Sequence, residues 1–315
     1  MREFALRRVV GLLITLACAS VIVFAVLEIL PGDPARVMLG PNATQEAVDA
    51  LRAELGLDRP ALARYVEWAA GLMRGDFGSS HTYSSSIGTL LAERAVVSLP
   101  LALAALALTI AIAIPVGITA AANRGGPLDT AIMGATQFGI AIPNFWFAIL
   151  LVYVFAATLR IAPSGGFPGW DEPLRASGSL ALPAIALAVP QAAILSRVAR
   201  SALIETLGSD YIRTARAKGA SQRRVLWAHA TRNALVPILT IIGLQFAFLL
   251  SGVIIIEQVF SLPGVGRLAY QAIRDGDLPL VRGIVMALVA SVVIINFFVD
   301  IAYAAVDPRL RHARS

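Results

Sequence analysis

Few side chains in this sequence are spaced for covalent chemistry. His81, His229 and His312 stand alone, with no second ligand at metal-binding spacing. No GxxxxGK[ST] run is present, so nothing is shaped to cradle nucleotide phosphates. Neither an HExxH helix nor a GxSxG elbow occurs. Cys18 is the single cysteine and supports neither a disulfide nor a CxxC site; within an apolar run it reads as a small buried residue. No cofactor or metal is expected, and the chemistry left is recognition and movement.

Two groups of residues suit that role. Asn144, Gln191 and Gln245 are polar groups inside long apolar runs, able to line a translocation path. Hydrogen bonding between helices is the stronger reading for each. Glu28, Glu257 and Asp300 fall near the ends of such runs, not at mid-depth where an ion-coupled transporter holds its carboxylates.

The second group is a basic connector, Asp210–Pro237, between two apolar runs. Ile204, Leu207, Tyr211 and Ala215 recur at helical spacing and predict one apolar face. Arg213, Arg216 and Lys218 gather where cations suit a helix C-terminus. Gly219 predicts a left-handed stop, and Ser221 a cap for a further helix through Gln222–Trp227. A solvated basic loop explains the charge alone. An apolar stripe beside a glycine stop and a serine cap favours a docking element for a partner groove. Interleaved aromatics for stacking bases are absent, so nucleic acid is not an expected partner.

The elements that must position these residues are membrane-length. Hydrophobic residues make up 57% of the chain and charged residues 15%. Six uncharged runs stand out: Val9–Leu27, Ala95–Asn123, Thr130–Leu159, Ala176–Ser196, Asn233–Ile256 and Gly283–Val299. Each is long enough to cross a bilayer as a helix, which needs about 20 residues. None alternates like a barrel strand. The sequence therefore predicts an all-α integral membrane protein with six transmembrane helices in a lipid bilayer. The first run has a longer apolar core than a signal peptide and no small-residue cleavage site before Glu28, so it is expected to stay as a span. The third run is long for one span, and its part before Pro143 is expected to form an interfacial elbow.

Arg2, Arg7 and Arg8, then Arg124, then Arg197 to Arg232, then Arg309, Arg311 and Arg314 fall on one side of the spans. The positive-inside rule makes that side cytoplasmic and places both termini there. Between the first two runs the chain passes outside, with amphipathic stretches at Ala47–Leu55 and Ala61–Met73 and with Asp58 as a plausible helix cap. The expected organisation is residues 1–30 (terminus and first span), 31–94 (external segment), 95–306 (five-helix core, with coupling helices at about 201–232) and 307–315 (cytoplasmic tail).

Arg213-Thr214-Ala215-Arg216-Ala217-Lys218-Gly219, followed by Arg232-Asn233-Ala234-Leu235-Val236-Pro237, resembles the cytoplasmic signature of binding-protein-dependent ABC permeases of the dipeptide, oligopeptide and nickel branch. Leu30-Pro31-Gly32-Asp33-Pro34, Leu55-Gly56-Leu57-Asp58-Arg59-Pro60, Gly75-Asp76-Phe77-Gly78, Pro263-Gly264-Val265-Gly266-Arg267 and Asp307-Pro308-Arg309 also fit. Where the wider family often carries Glu-Ala-Ala, this chain has Arg213-Thr214-Ala215. The resemblance implies a type I ABC importer permease core in a bacterial inner membrane. It implies a second permease subunit, two cytoplasmic ATP-binding subunits and an external solute-binding protein as partners. It further implies that Asp210–Gly219 couples to the ATPases, so this chain is not itself an enzyme. An ion-coupled secondary transporter is the alternative.

Overall fold

The computed structural model describes residues 2–29, 33–40, 42–221 and 224–306. They are mostly helical, and the only extended pairing among them is an isolated bridge between Ser79 and Ser86. Five helices are long and apolar enough to cross a membrane, and one sharply bent pair brings the total to six if it counts as a single span. The chain divides into two compact units, Leu99–Leu262 with the chain from Ile295, and Arg2–Ser98 with Pro263–Ile294. Helices α5 (Ile87–Ala122) and α12 (Leu278–Val306) each contribute a segment to both.

The first unit is built around α8 (Pro173–Leu207), flanked by α6 (Pro127–Ala141), α7 (Asn144–Leu151) and α10 (Thr231–Val259). Within its span 72% of residues are buried, so other helices clad α8. Its contact faces are lined by small residues such as Ala184, Ala188, Ala192 and Ala199, which let helix backbones come close. The bend of 98° separates α6 from α7. Its cause is Pro143, which forces Ile142 out of the helical region, to ψ 122°. A π-helical turn, Val152–Thr158, continues α7. Another, Val225–Ala230, leads into α10, so that helix begins six residues before Pro237 and carries the proline inside it.

The second unit holds α1 (Arg2–Ile29), α2 (Pro34–Leu39), α3 (Gln45–Glu54), α4 (Ala61–Met73) and α11 (Val265–Arg274). Ile87, Leu268, Ala272, Leu280 and Ile284 form its buried core. Asp33 caps α2 by accepting from the Ala35 amide at 3.1 Å, and Thr44 caps α3 through the Ala47 amide at 3.3 Å. Asp58, expected to cap α4, does not; Pro60 occupies the N-cap, and the Asp58 carboxylate stands 3.4 Å from Arg52 Nε. An arginine already drawn to Asp33 competes for it. Asp277 is fully buried and accepts from Ser80 Oγ at 2.6 Å and from the amides of Thr82 and Leu280. It thereby satisfies a free N–H at the start of α12. Only 17% of the α1 span is buried, and Cys18 is exposed, contrary to expectation, because this helix has few neighbours within the chain.

Candidate docking helix and translocation path

The expected docking element contains a short helix with one fully buried side chain. Helix α8 ends at Leu207, and the chain turns through Gly208 and Ser209 before α9 (Asp210–Ala217). Ser209 Oγ donates to the Thr206 carbonyl at 2.5 Å and so closes the old helix instead of capping the new one. Ile212 is the one fully buried residue of α9 and joins a cluster with Leu203, Val225, Ala230, Ala234 and Ile238.

The break changes the expected apolar face. Ile204 and Leu207 belong to α8, so they do not continue into α9, and Tyr211 is 44% exposed. Its hydroxyl accepts from Asn233 Nδ2 at 2.8 Å, tying α9 to the start of α10. Sequence spacing missed Ile212 because the periodic stripe was drawn across a turn that resets the helical phase.

Two bonds end α9: the Gly219 amide donates to the Arg216 carbonyl at 2.9 Å and the Ala220 amide to the Ala215 carbonyl at 3.1 Å. This pair is the Schellman closure, and it sets Gly219 at φ +82°, a conformation strained for side-chain-bearing residues. Ser221 Oγ accepts from the Arg224 amide at 3.3 Å; Gln222 and Arg223, within the helix expected there, lie outside the described residues. Asp210, Arg213, Thr214, Arg216, Ala217 and Lys218 are all exposed, and Ala215 is half-buried. Arg213 and Asp210 approach to 3.5 Å, an exposed pair of little energetic weight. The helix is thus fixed by Ile212 and Tyr211 and leaves most of its other residues exposed.

The three path candidates lie where α7, α8 and α10 meet. Gln245 Nε2 on α10 donates to the Gln191 carbonyl on α8 at 2.8 Å, and both side chains are buried. The opposite amide orientation would set two carbonyl oxygens together, so this bond fixes how Gln245 points. Each glutamine keeps a buried side-chain oxygen with no hydrogen-bond partner. Asn144, at the first position of α7, sets its amide against Gly252 on α10. Gln137 on α6 accepts from Arg197 on α8 at 3.0 Å.

One pair went unnoticed in the sequence. Asp129, at the start of α6, is buried and receives both Nε and Nη2 of Arg200, each at 2.6 Å. Seventy-one positions separate the two residues, and no local pattern connects them.

Residues 113–312 match the family described as the binding-protein-dependent transport system inner membrane component, and residues 1–113 match its N-terminal companion. This chain belongs to that family. The permease is 42% identical over 313 residues to a putative peptide transport system permease protein of Brucella abortus (strain 2308), covering 99% of this chain and 100% of the relative. It is 37% identical to a probable peptide ABC transporter permease protein of Sinorhizobium fredii and 34% identical to the glutathione transport system permease protein GsiC of Escherichia coli (strain K12). Each covers 99% of the permease and 100% of the relative. Among solved structures, an inward-facing form of the MetNI methionine ABC transporter aligns with a TM-score of 0.59 at 20% identity, over 69% of the permease and 96% of that chain. That likeness concerns the fold, a helical ABC importer permease. The permease is thus a multi-pass inner-membrane subunit of an ABC importer.

Proposed function

We propose that this permease forms half of a translocation pathway for peptides or similar small solutes, driven by ATP hydrolysis on separate subunits. A second, similar permease supplies the other half, and an external solute-binding protein delivers the substrate. Both termini are cytoplasmic, which puts α9 on the side where ATP is available. The segment 31–94 lies outside, and 95–306 forms the core. ATP binding closes two ATPases that grip Asp210–Gly219; the displacement of α9 passes to α8 and α10 and switches access from one side to the other.

The observation that carries this reading is α9 itself. It is joined to α8 by a two-residue turn, anchored by Ile212 and Tyr211, and exposed elsewhere except at the half-buried Ala215. Such a helix transmits a push from a bound partner to the spans on either side of it. The relatives named for peptide and glutathione transport support the substrate class.

The test is a mild-detergent pull-down of the tagged chain from its native membrane, with identification of partners and an ATPase assay. Recovery of two ATPases and a sister permease, with hydrolysis stimulated by a binding protein, is expected. Solute flux by the chain with no ATPase present would overturn the reading in favour of ion coupling.

A further inference from the structure

In the unit formed by Arg2–Ser98 and Pro263–Ile294 lies a cavity of about 310 Å³. Its polar wall carries Glu28, Asp33, Arg52, Arg64 and Arg282, with His81 beside them. Two of the arginines are matched: Arg64 pairs with Glu28, and Arg52 Nη1 lies 3.2 Å from Asp33. Asp33 holds the Arg52 guanidinium even more firmly protonated than usual. Arg282 is the unmatched third, forming no ion pair among the described residues.

The chain nonetheless fixes Arg282 in place. Its guanidinium carbon stands 4.4 Å from the Phe24 ring centroid and 5.4 Å from that of Trp68, a cation–π shelf on two sides. Its Nε is buried without a hydrogen-bond partner, and so is Trp68 Nε1. A buried guanidinium donor left unbonded is costly, more so at the edge of a membrane. Among the residues lining the cavity three arginines face two carboxylates; Asp58, outside the lining, approaches Arg52 and leaves Arg282 as the arginine without an ion pair.

The position of the cavity narrows what can neutralise the Arg282 charge. The apolar window of α1 ends at Ile29 and that of α12 begins at Leu278. Leu27 and Glu28 line the cavity from the first helix, and Leu278, Pro279 and Arg282 from the second. It therefore sits level with the ends of two spans, where headgroups lie whichever way the chain is inserted. Leu27, Met38, Leu55 and Leu57 add an apolar wall to the charged one. We infer that this cavity is a binding site for a phosphate oxyanion, held by Arg282 and bordered by Arg52 and Arg64. The source is the headgroup of an anionic phospholipid or free phosphate. A tetrahedral phosphate accepts from several guanidinium N–H groups at once, and such charge-assisted bonds are the strong ones.

The test is native mass spectrometry of the full-length permease in mild detergent, titrated separately with phosphatidylglycerol and with inorganic phosphate. Arg282→Met should weaken binding by roughly tenfold, as expected for one charge-assisted contact. Glu28→Gln should strengthen it, because it removes a competing carboxylate and frees Arg64. Opposite shifts in the two variants cannot come from a general loss of folding. Arg282-dependent binding of phosphatidylglycerol alone assigns the site to lipid, and binding of inorganic phosphate as well assigns it to the oxyanion in general. No binding of either probe, equal binding by all three proteins, or weaker binding in Glu28→Gln overturns the inference.

Discussion

Arg200 grips Asp129 with two parallel hydrogen bonds, Nε to Oδ1 and Nη2 to Oδ2, both at 2.6 Å. The amide of Gly125 adds a third bond to Oδ2 at 2.9 Å. The carboxylate is buried, and the planar fork of arginine matches it as a lysine would not. This contact ties the start of α6 to the stretch of α8 just before α9. Movement of α9 is therefore expected to reach α6 through Arg200.

Asp129→Ala and Arg200→Ala should each lower thermal stability and uptake, because either one leaves a partly buried group unpaired. The double variant should lose little more than either single one. A double-mutant cycle on melting temperature and uptake checks this, and strictly additive losses would refute the coupling.

Ile212→Ala removes the only fully buried side chain of α9. Large-to-small changes at such sites cost about 2–5 kcal/mol, more than one eight-residue helix can hold in reserve. Faster amide hydrogen exchange over 210–218, with α8 unchanged, is the expected readout. Binding-protein-stimulated hydrolysis should fall with it.

Gly219→Leu places a branched side chain at φ +82°, at a cost of about 1–2 kcal/mol, whereas Gly219→Asn should be tolerated. The leucine variant should insert normally, yet an importer assembled with it should hydrolyse ATP on its partner subunits without uptake. Wild-type uptake in that variant would remove Gly219 from the coupling mechanism.

At Gly165 the constraint is contact. A Cβ there would meet the Phe260 carbonyl oxygen at 2.4 Å, beside the 2.8 Å bond from the Gly166 amide to the same oxygen. Gly165→Ala should detach the loop before α8 from the end of α10 and cost about 1–3 kcal/mol. A lowered melting temperature, together with proteolytic nicking between residues 160 and 172, would register the loss.

Gln245→Leu separates packing from passage. An interhelical hydrogen bond of this kind is worth about 0.6 kcal/mol, so stability should barely change. If the Gln245–Gln191 contact serves helix packing alone, uptake stays within about threefold of wild type, the rate change that such an energy corresponds to. A large loss of uptake at intact stability would place Gln245 in the path.

Span-length apolar runs, the fold class and the end of α9 were legible in the sequence because each depends on local information. An uncharged run of bilayer length must satisfy its own backbone and so becomes a helix. Pro143 marks the bend between α6 and α7, and Gly219 marks the end of α9, because both constrain their own dihedrals. Tertiary structure decided the rest. Tyr211 and Ile212 are neighbours in sequence, yet one is exposed and the other buried, because the turn at Gly208–Ser209 resets the face that α9 presents. Asp129 finds Arg200, and Arg282 its shelf on Phe24 and Trp68, only when distant helices pack together. Helix formation is written residue by residue; which side chain meets which depends on how the finished helices are rotated and bent against one another.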